Sequence, residues 1–209
     1  MINATKLVPI EANPENFSKY GNLFTNFAKE EVRLEKWAKH PNGYREVHDG
    51  ISGGITQGKF NVEWRESMLY SYNDAVSGDY CFASQGYQNV KVTNEINYHS
   101  CGSQMFYSKY SDIYLLVAVI PDDSNRFPDS VEPSDFRCFR VPRGTGAHIN
   151  SYVWHCPPII FPNITSTQIF TKQAKVHSKI YYDPIKEHNT IFVIATGPIT
   201  ADIFGTNKN

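Results

Sequence analysis

Apolar and polar residues alternate with a period of two along much of this chain. The pattern is most regular at 59–64, where Phe60, Val62 and Trp64 share one face of an extended backbone. Alternation of this kind is typical of a β-strand with one buried face. The same pattern, or a short apolar run, predicts further strands at 68–72, 80–83, 90–96, 105–107, 113–120, 136–141, 147–153, 159–161, 168–170, 176–182 and 190–195.

The run at 113–120 is apolar at every position. A continuous apolar run of strand length predicts a central strand that is buried on both faces. The short strands are separated by turns that contain Gly and Pro, which is typical of an all-β barrel or sandwich.

The N-terminal part of the chain carries a helix signal instead. Asn13 can cap a helix, Pro14 suits its first turn and Gly21 suits its end. A second, less regular helix is predicted at 30–38. Because glycines and strand patterns begin at about residue 43, we predict one domain over 1–209, with a helical extension at 1–42 and a β-barrel at 43–204.

Composition narrows the classes of partner. Lys and Arg number 20, Asp and Glu number 21, and the formal net charge is −1. This balance favours neither a nucleic-acid partner nor an anionic membrane. No apolar run approaches the roughly 20 residues of a membrane-spanning helix, and no secretory signal is recognisable. We therefore expect a cytoplasmic protein whose four scattered cysteines stay reduced.

Two segments place polar residues beside apolar strands, at 97–106 and at 146–157. Alternate side chains of a strand share a face, so Asn97 should point with His99, and His148 with Asn150. A histidine buried in a small β-domain must find partners for its ring nitrogens. One such histidine is more often structural than catalytic, but two polar-rich strands in one fold favour a ligand site at the mouth of a barrel.

These segments resemble the paired motifs of the cupin superfamily, and most closely those of the ureidoglycolate lyase family. The first motif is present as His99, Gly102, Ser103 and Gln104 before an apolar strand, and the second as Val153-Trp154-His155-Cys156-Pro157. The family's early Phe-x-x-Tyr-Gly element is present at 17–21. A lyase-like branch of the family is more similar still, through a glycine turn at 53–58, an Asn-Asp-Ala-Val element at 73–80 and a Val-His strand at 176–180.

The resemblance implies a cupin-type jelly-roll barrel with a short N-terminal helix, working as a cytoplasmic homodimer on a small-molecule substrate. The implied reaction, part of allantoin degradation in purine catabolism, cleaves ureidoglycolate to glyoxylate and urea. This reaction needs a base, an acid and a group that holds the substrate carboxylate. We assign His99 and His155 as the acid/base pair, with Gln104 beside them. The substrate-binding candidates are Asn97, His148, Asn150, Lys175 and His177, the last two for the substrate carboxylate.

The chain departs from the superfamily pattern at the positions that hold a metal. Metal-binding cupins offer His-x-His, a carboxylate and a later histidine, where this chain has Asn97-x-His99, Gln104 and His155. Amides are weak ligands for a transition metal. Lyase-family members often carry a glutamate at position 97 and a histidine at position 150, and both are asparagines here. The cofactor stays open between none and a divalent metal held by His99, Gln104 and His155.

Three functions therefore remain open from the sequence. The first is a ureidoglycolate lyase-like enzyme. The second is a metal-dependent cupin enzyme of another reaction type, and the third is a non-catalytic cupin-fold protein that binds a small molecule.

Overall fold

The computed structural model describes residues 2–34, 54–75, 80–87, 90–93, 96–100, 102–120, 130–161, 163–174 and 180–197. Within these residues the chain is mostly β-strand, as the alternation predicts. The strands are β1 (Asn3–Leu7), β2 (Ile10–Glu11), β3 (Gly21–Phe24), β4 (Ile55–Arg65), β5 (Met68–Asn73), β6 (Tyr80–Tyr87), β7 (Val90–Thr93), β8 (Ile96–Tyr98), β9 (Gln104–Tyr107), β10 (Ile113–Ala118), β11 (Arg137–Val141), β12 (Gly146–Ile149), β13 (Trp154–His155), β14 (Ser166–Ala174), β15 (Ile180–Tyr182) and β16 (Thr190–Ala195). Helical structure in the described ranges consists of α1 (Pro184–His188) and two 3-10 turns, Phe27–Lys29 and Pro133–Asp135.

The strands form two sheets. The ten-stranded sheet has the order β1-β16-β7-β6-β5-β4-β14-β9-β12-β3, and the six-stranded sheet has the order β15-β8-β13-β10-β11-β2. Neighbouring strands are antiparallel except for two pairs, β1 with β16 and β2 with β11. Four of the six strands in the smaller sheet, β2, β8, β13 and β15, are each flanked in sequence by strands of the larger one, and only β10 and β11 are consecutive. The two sheets are therefore interleaved along the chain.

Strands of the larger sheet cover both faces of the smaller one. On one face, Trp154 meets Tyr182, and the Tyr182 ring lies 6.5 Å from that of Phe192 in β16. On the other face, the ring of His155 lies 6.1 Å from Phe106 in β9. The central strand β10 is accordingly buried along most of its length, which confirms the prediction from its apolar run.

The helical extension predicted at 1–42 is wrong for its described part. Asn13 Oδ1 does accept the backbone N–H groups of Glu15 and Asn16, as a helix cap would. The chain then makes consecutive turns and enters β3 at Gly21, which pairs with Ile149 of β12. Pairing with a strand distant in sequence is therefore formed instead of a local helix. Strands β1, β2 and β3 belong to the two sheets rather than to a separate extension.

The second predicted helix, at 30–38, is also replaced by other structure where it is described. Residues 30–34 are extended, and Leu34 forms a β-bridge with Gly102. Residues 35–38 lie outside the described residues. Among the described residues, no helix is long and apolar enough to cross a membrane.

Candidate functional site

Two imidazole rings from the predicted pair of motifs converge on one amide between the sheets. His99 Nε2 lies 3.1 Å and His155 Nε2 lies 3.0 Å from Gln104 Oε1, and the ring centroids are 5.1 Å apart. His155 comes from β13, His99 follows β8, and Gln104 opens β9 of the facing sheet. The structure thus brings together the three residues to which the sequence assigns the chemistry, and all three are at least nine-tenths buried.

Gln104 is itself held by two side chains of β14. Its Nε2 group donates to Gln173 Oε1 at 2.8 Å and to Thr171 Oγ1 at 3.4 Å. Gln173 pairs with Gln104 in the strand register, and Thr171 pairs with Phe106. Neither residue was predicted from the sequence. The signal was present, because Ile169, Thr171 and Gln173 alternate along one face of this strand.

The backbone sets the tautomer of His155. Its Nδ1 atom lies 2.9 Å from the carbonyl oxygen of Val153, which only accepts hydrogen bonds, so Nδ1 carries a proton. The ring then meets the Gln104 amide in one of two states. An imidazolium would donate to the amide oxygen as the amide is placed here. A neutral ring protonated on Nδ1 would need the amide turned over, with its NH2 group toward the ring and its bond to Gln173 given up.

Two polar atoms beside this cluster have no hydrogen-bond partner within the described part of the chain. They are Asn97 Oδ1 and Thr56 Oγ1. Asn97 lies opposite His155 in the smaller sheet, and Thr56 lies opposite Gln173 in the larger one, so both point to the same side as the cluster. An unsatisfied buried polar atom costs about 1–3 kcal/mol. A polar ligand or a water molecule between the sheets would recover that free energy.

His148 and Asn150 do not join this cluster. In β12, Ile149 pairs with Gln104 and therefore faces inward, so His148 points to the outer face of the sheet. There His148 Nε2 lies 2.6 Å from Ser103 Oγ, and Asn150 Oδ1 accepts from the Arg33 guanidinium at 2.8 Å. Burial, helped by the positive charge of Arg33, lowers the pKa of His148 to about 4. The predicted substrate contacts through these two residues are therefore not made from the interior.

The two candidates for the substrate carboxylate, Lys175 and His177, lie outside the described residues. The donors that could hold a metal between the sheets are two imidazole nitrogens and the oxygen of one amide. Among the described residues, no three His, Cys, Asp or Glu side chains gather in a group that could hold a metal ion. This donor set fits a transition metal poorly.

No protein-family model matches the chain, and a comparison with curated proteins finds no match. The geometry of the site and the resemblance of its motifs therefore carry the functional proposal.

Proposed function

We propose that this protein is a lyase-like enzyme that cleaves ureidoglycolate, or a related small ureido or hydroxy acid, to glyoxylate and urea. The observation that carries the proposal is the convergence of His99 and His155 on the Gln104 amide in a buried polar cluster. Two imidazoles at this separation can act on the two ends of one small molecule, and histidine can serve as acid or base near neutral pH.

The tautomer of His155 assigns the roles. Because the Val153 carbonyl oxygen holds a proton on Nδ1, a neutral His155 ring carries its lone pair on Nε2. This atom takes the proton of the substrate hydroxyl once the substrate displaces the Gln104 amide from it. As that proton leaves, the carbon–oxygen bond becomes a carbonyl and the carbon–nitrogen bond to the ureido group breaks. His99 gives a proton to the departing nitrogen, which yields urea. The proton taken by His155 balances the one given by His99, and no external oxidant or reductant is needed.

The amides beside the rings suit a ureido substrate. A ureido group offers N–H donors and one carbonyl acceptor, and amide side chains present the complementary set. Asn97 Oδ1 is available to accept an N–H group of the ligand, because it has no hydrogen-bond partner among the described residues. Gln104 is held by Gln173, and substrate must take its place against His155 Nε2 for that atom to act as the base.

Purified protein incubated with ureidoglycolate tests the proposal by the release of glyoxylate and urea. We expect His99→Ala and His155→Ala each to lower the rate by roughly 10²–10⁴-fold, the usual contribution of a positioned acid or base. His188→Ala is the matched control, since it removes the exposed imidazole of α1, whose ring packs on Tyr182 rather than on Gln104. Equal rates in all three variants would refute the acid/base assignment.

A non-catalytic binding function is the second candidate. It is favoured by the amides of Asn97 and Gln104, which stand where a carboxylate or imidazole would supply charge. A ligand that binds only the folded state raises its stability by RT ln(1 + L/Kd), where L is the free ligand concentration, so the gain continues to grow as ligand is added. A small acid that raises the melting temperature over hours without any product would support this function, and turnover of that acid would exclude it.

We further infer that the two interleaved sheets form a cupin-type jelly roll and that the protein works as a homodimer in the cytoplasm. The motif resemblance supports both inferences. Light scattering on the eluting peak of a size-exclusion column measures the mass directly, and a peak at 23.8 kDa rather than twice that value would contradict the dimer.

A further inference from the structure

A second polar cluster lies on the outer face of the ten-stranded sheet, directly behind the interior site. It joins the sheet to residues 27–34, which we call the strap. Val32 of the strap is buried against Phe24 and Met105, and the Lys172 ammonium donates to the carbonyl oxygens of Phe27 and Glu30. The strap is therefore held on the sheet by apolar contacts of Val32 and, near its beginning, by hydrogen bonds from Lys172 of β14.

Ser103 is the point where the strap meets the site. Its backbone N–H donates to the Arg33 carbonyl oxygen at 2.9 Å, and its Oγ atom accepts the Arg33 N–H at 2.9 Å. Ser103 immediately precedes Gln104, and successive residues of a strand point to opposite faces. The strap thus bonds to Ser103 on the outer face of the sheet. The next residue, Gln104, contacts both imidazoles on the inner face.

His148 also bonds to Ser103. Since Ser103 Oγ accepts from Arg33, its own O–H is free to donate to His148 Nε2, 2.6 Å away. The proton of the neutral His148 ring then lies on Nδ1, which faces the Glu30 carboxylate at 3.7 Å. At 3.7 Å this is proximity rather than a hydrogen bond, so the bond to the Ser103 hydroxyl is the one that holds the His148 ring.

The guanidinium of Arg33 lies on the solvent side of this cluster. It donates to Asn150 Oδ1 at 2.8 Å and to Asn22 Oδ1 at 2.5 Å. Asn150 directly follows β12, and Asn22 belongs to β3. The strap is consequently tied to three strands whose opposite faces line or support the interior site.

We propose that the strap positions the interior site, and that Ser103 and His148 are positioning residues that act through Gln104. A side-chain amide that must meet two ring nitrogens and two β14 side chains at once tolerates little displacement of its backbone. The strap supplies that restraint from outside, without contacting the reacting groups. The kinetic part of this proposal rests on the proposed function, whereas its spectroscopic part does not.

The test compares Ser103→Ala with Ser108→Ala. Both serines are buried and each uses its hydroxyl in a buried hydrogen bond, but Ser108 lies past the far end of β9 and bonds to Ser111. Nitrogen NMR of the histidine side chains reports the tautomer and hydrogen bonding of His99 and His155 without any ligand. We expect these signals to shift in Ser103→Ala and to remain at their wild-type positions in Ser108→Ala.

Kinetics give the second readout. We expect kcat for ureidoglycolate to fall roughly 10- to 100-fold in Ser103→Ala with KM changed little. Ser103→Thr, which keeps the hydroxyl, should recover most of the loss. If Ser103→Ala does not fold, Arg33→Met replaces it, since the Arg33 side chain is exposed and its loss should loosen the strap and shift the same NMR signals.

The outcomes separate this proposal from the lyase proposal. Histidine signals that respond equally to Ser103→Ala and Ser108→Ala, or to neither, would overturn the positioning role whatever the enzyme does. If the histidine signals shift only in Ser103→Ala and the wild-type protein does not cleave ureidoglycolate, the lyase function is refuted and the positioning role is supported.

Discussion

Lys91 is a buried cation in the middle of β7, and its charge should make the stability of this protein rise with pH above neutrality. The side chain is fully buried. Its ammonium donates to the carbonyl oxygen of Ser84 and lies 4.9 Å from the centroid of the Trp64 ring. Burial lowers the pKa of Lys91 from 10.5 to about 7, although nearby Cys156 opposes part of this effect.

The sign and size of the effect follow from proton linkage. Between pH 7 and 10.5 the unfolded chain keeps the Lys91 proton while the folded protein has lost it, so the unfolded state binds more protons and stability rises with pH. The slope approaches about 1.4 kcal/mol per pH unit. We therefore expect Lys91 to add roughly 2–3 kcal/mol to the free energy of unfolding between pH 7.5 and 9.5.

Urea unfolding of wild type and of Lys91→Met over this pH range measures the effect. Methionine keeps most of the buried volume and removes the charge, so Lys91→Met should lack the pH-dependent gain and should be the more stable protein near pH 7. Lys19→Met, at an exposed lysine, should follow the wild-type pH dependence. Parallel curves for wild type and Lys91→Met would refute the assignment of a displaced titration to Lys91.

Three further predictions concern other positions. Gly21→Ala should cost at least about 3 kcal/mol in urea unfolding, because its Cβ would lie 1.8 Å from the His148 carbonyl oxygen, whereas Gly144→Ala, with open space around it, should cost about 1 kcal/mol. The free energy of unfolding should fall by roughly 3 kcal/mol from about pH 6.5 to pH 4, because the unfolded state protonates His148 first, and His148→Asn should remove this acid dependence. Gln104→Leu should lower turnover of ureidoglycolate by roughly 10²-fold in the glyoxylate assay while the fold persists by circular dichroism, and an unchanged rate would exclude Gln104 from the site.

Local pattern was enough to predict most strands of this fold. The alternation at 59–64 identifies β4, although pairing with β14 and β5 extends that strand to Ile55–Arg65. The run at 113–120 identifies a strand buried on both faces. The N-terminal segment was mispredicted because its local signal is sound but incomplete. Asn13 does cap a turn, yet Gly21 must enter a strand whose partner, Ile149, lies far away in sequence.

The site was predictable only up to the choice of face. The alternation of side chains along a strand correctly predicts that His148 and Asn150 share a face. Which face lies inside depends on the register of β12 against β9, which the pattern of either strand alone does not contain. The same ambiguity hid Thr171 and Gln173, because polar residues at alternate positions indicate a solvent face unless the neighbouring strands are known.

The pairing of β1 with β16 has a consequence for the order of folding. Asn3 joins Thr190 across 187 intervening sequence steps, so this contact closes the longest loop among the described strand pairs. Closing such a loop before the intervening chain is organised is entropically unfavourable, which favours late addition of the first strand. On the reverse path, β1 should detach before the rest of the sheet opens, and its amide hydrogens should exchange with solvent deuterium well before those of β10.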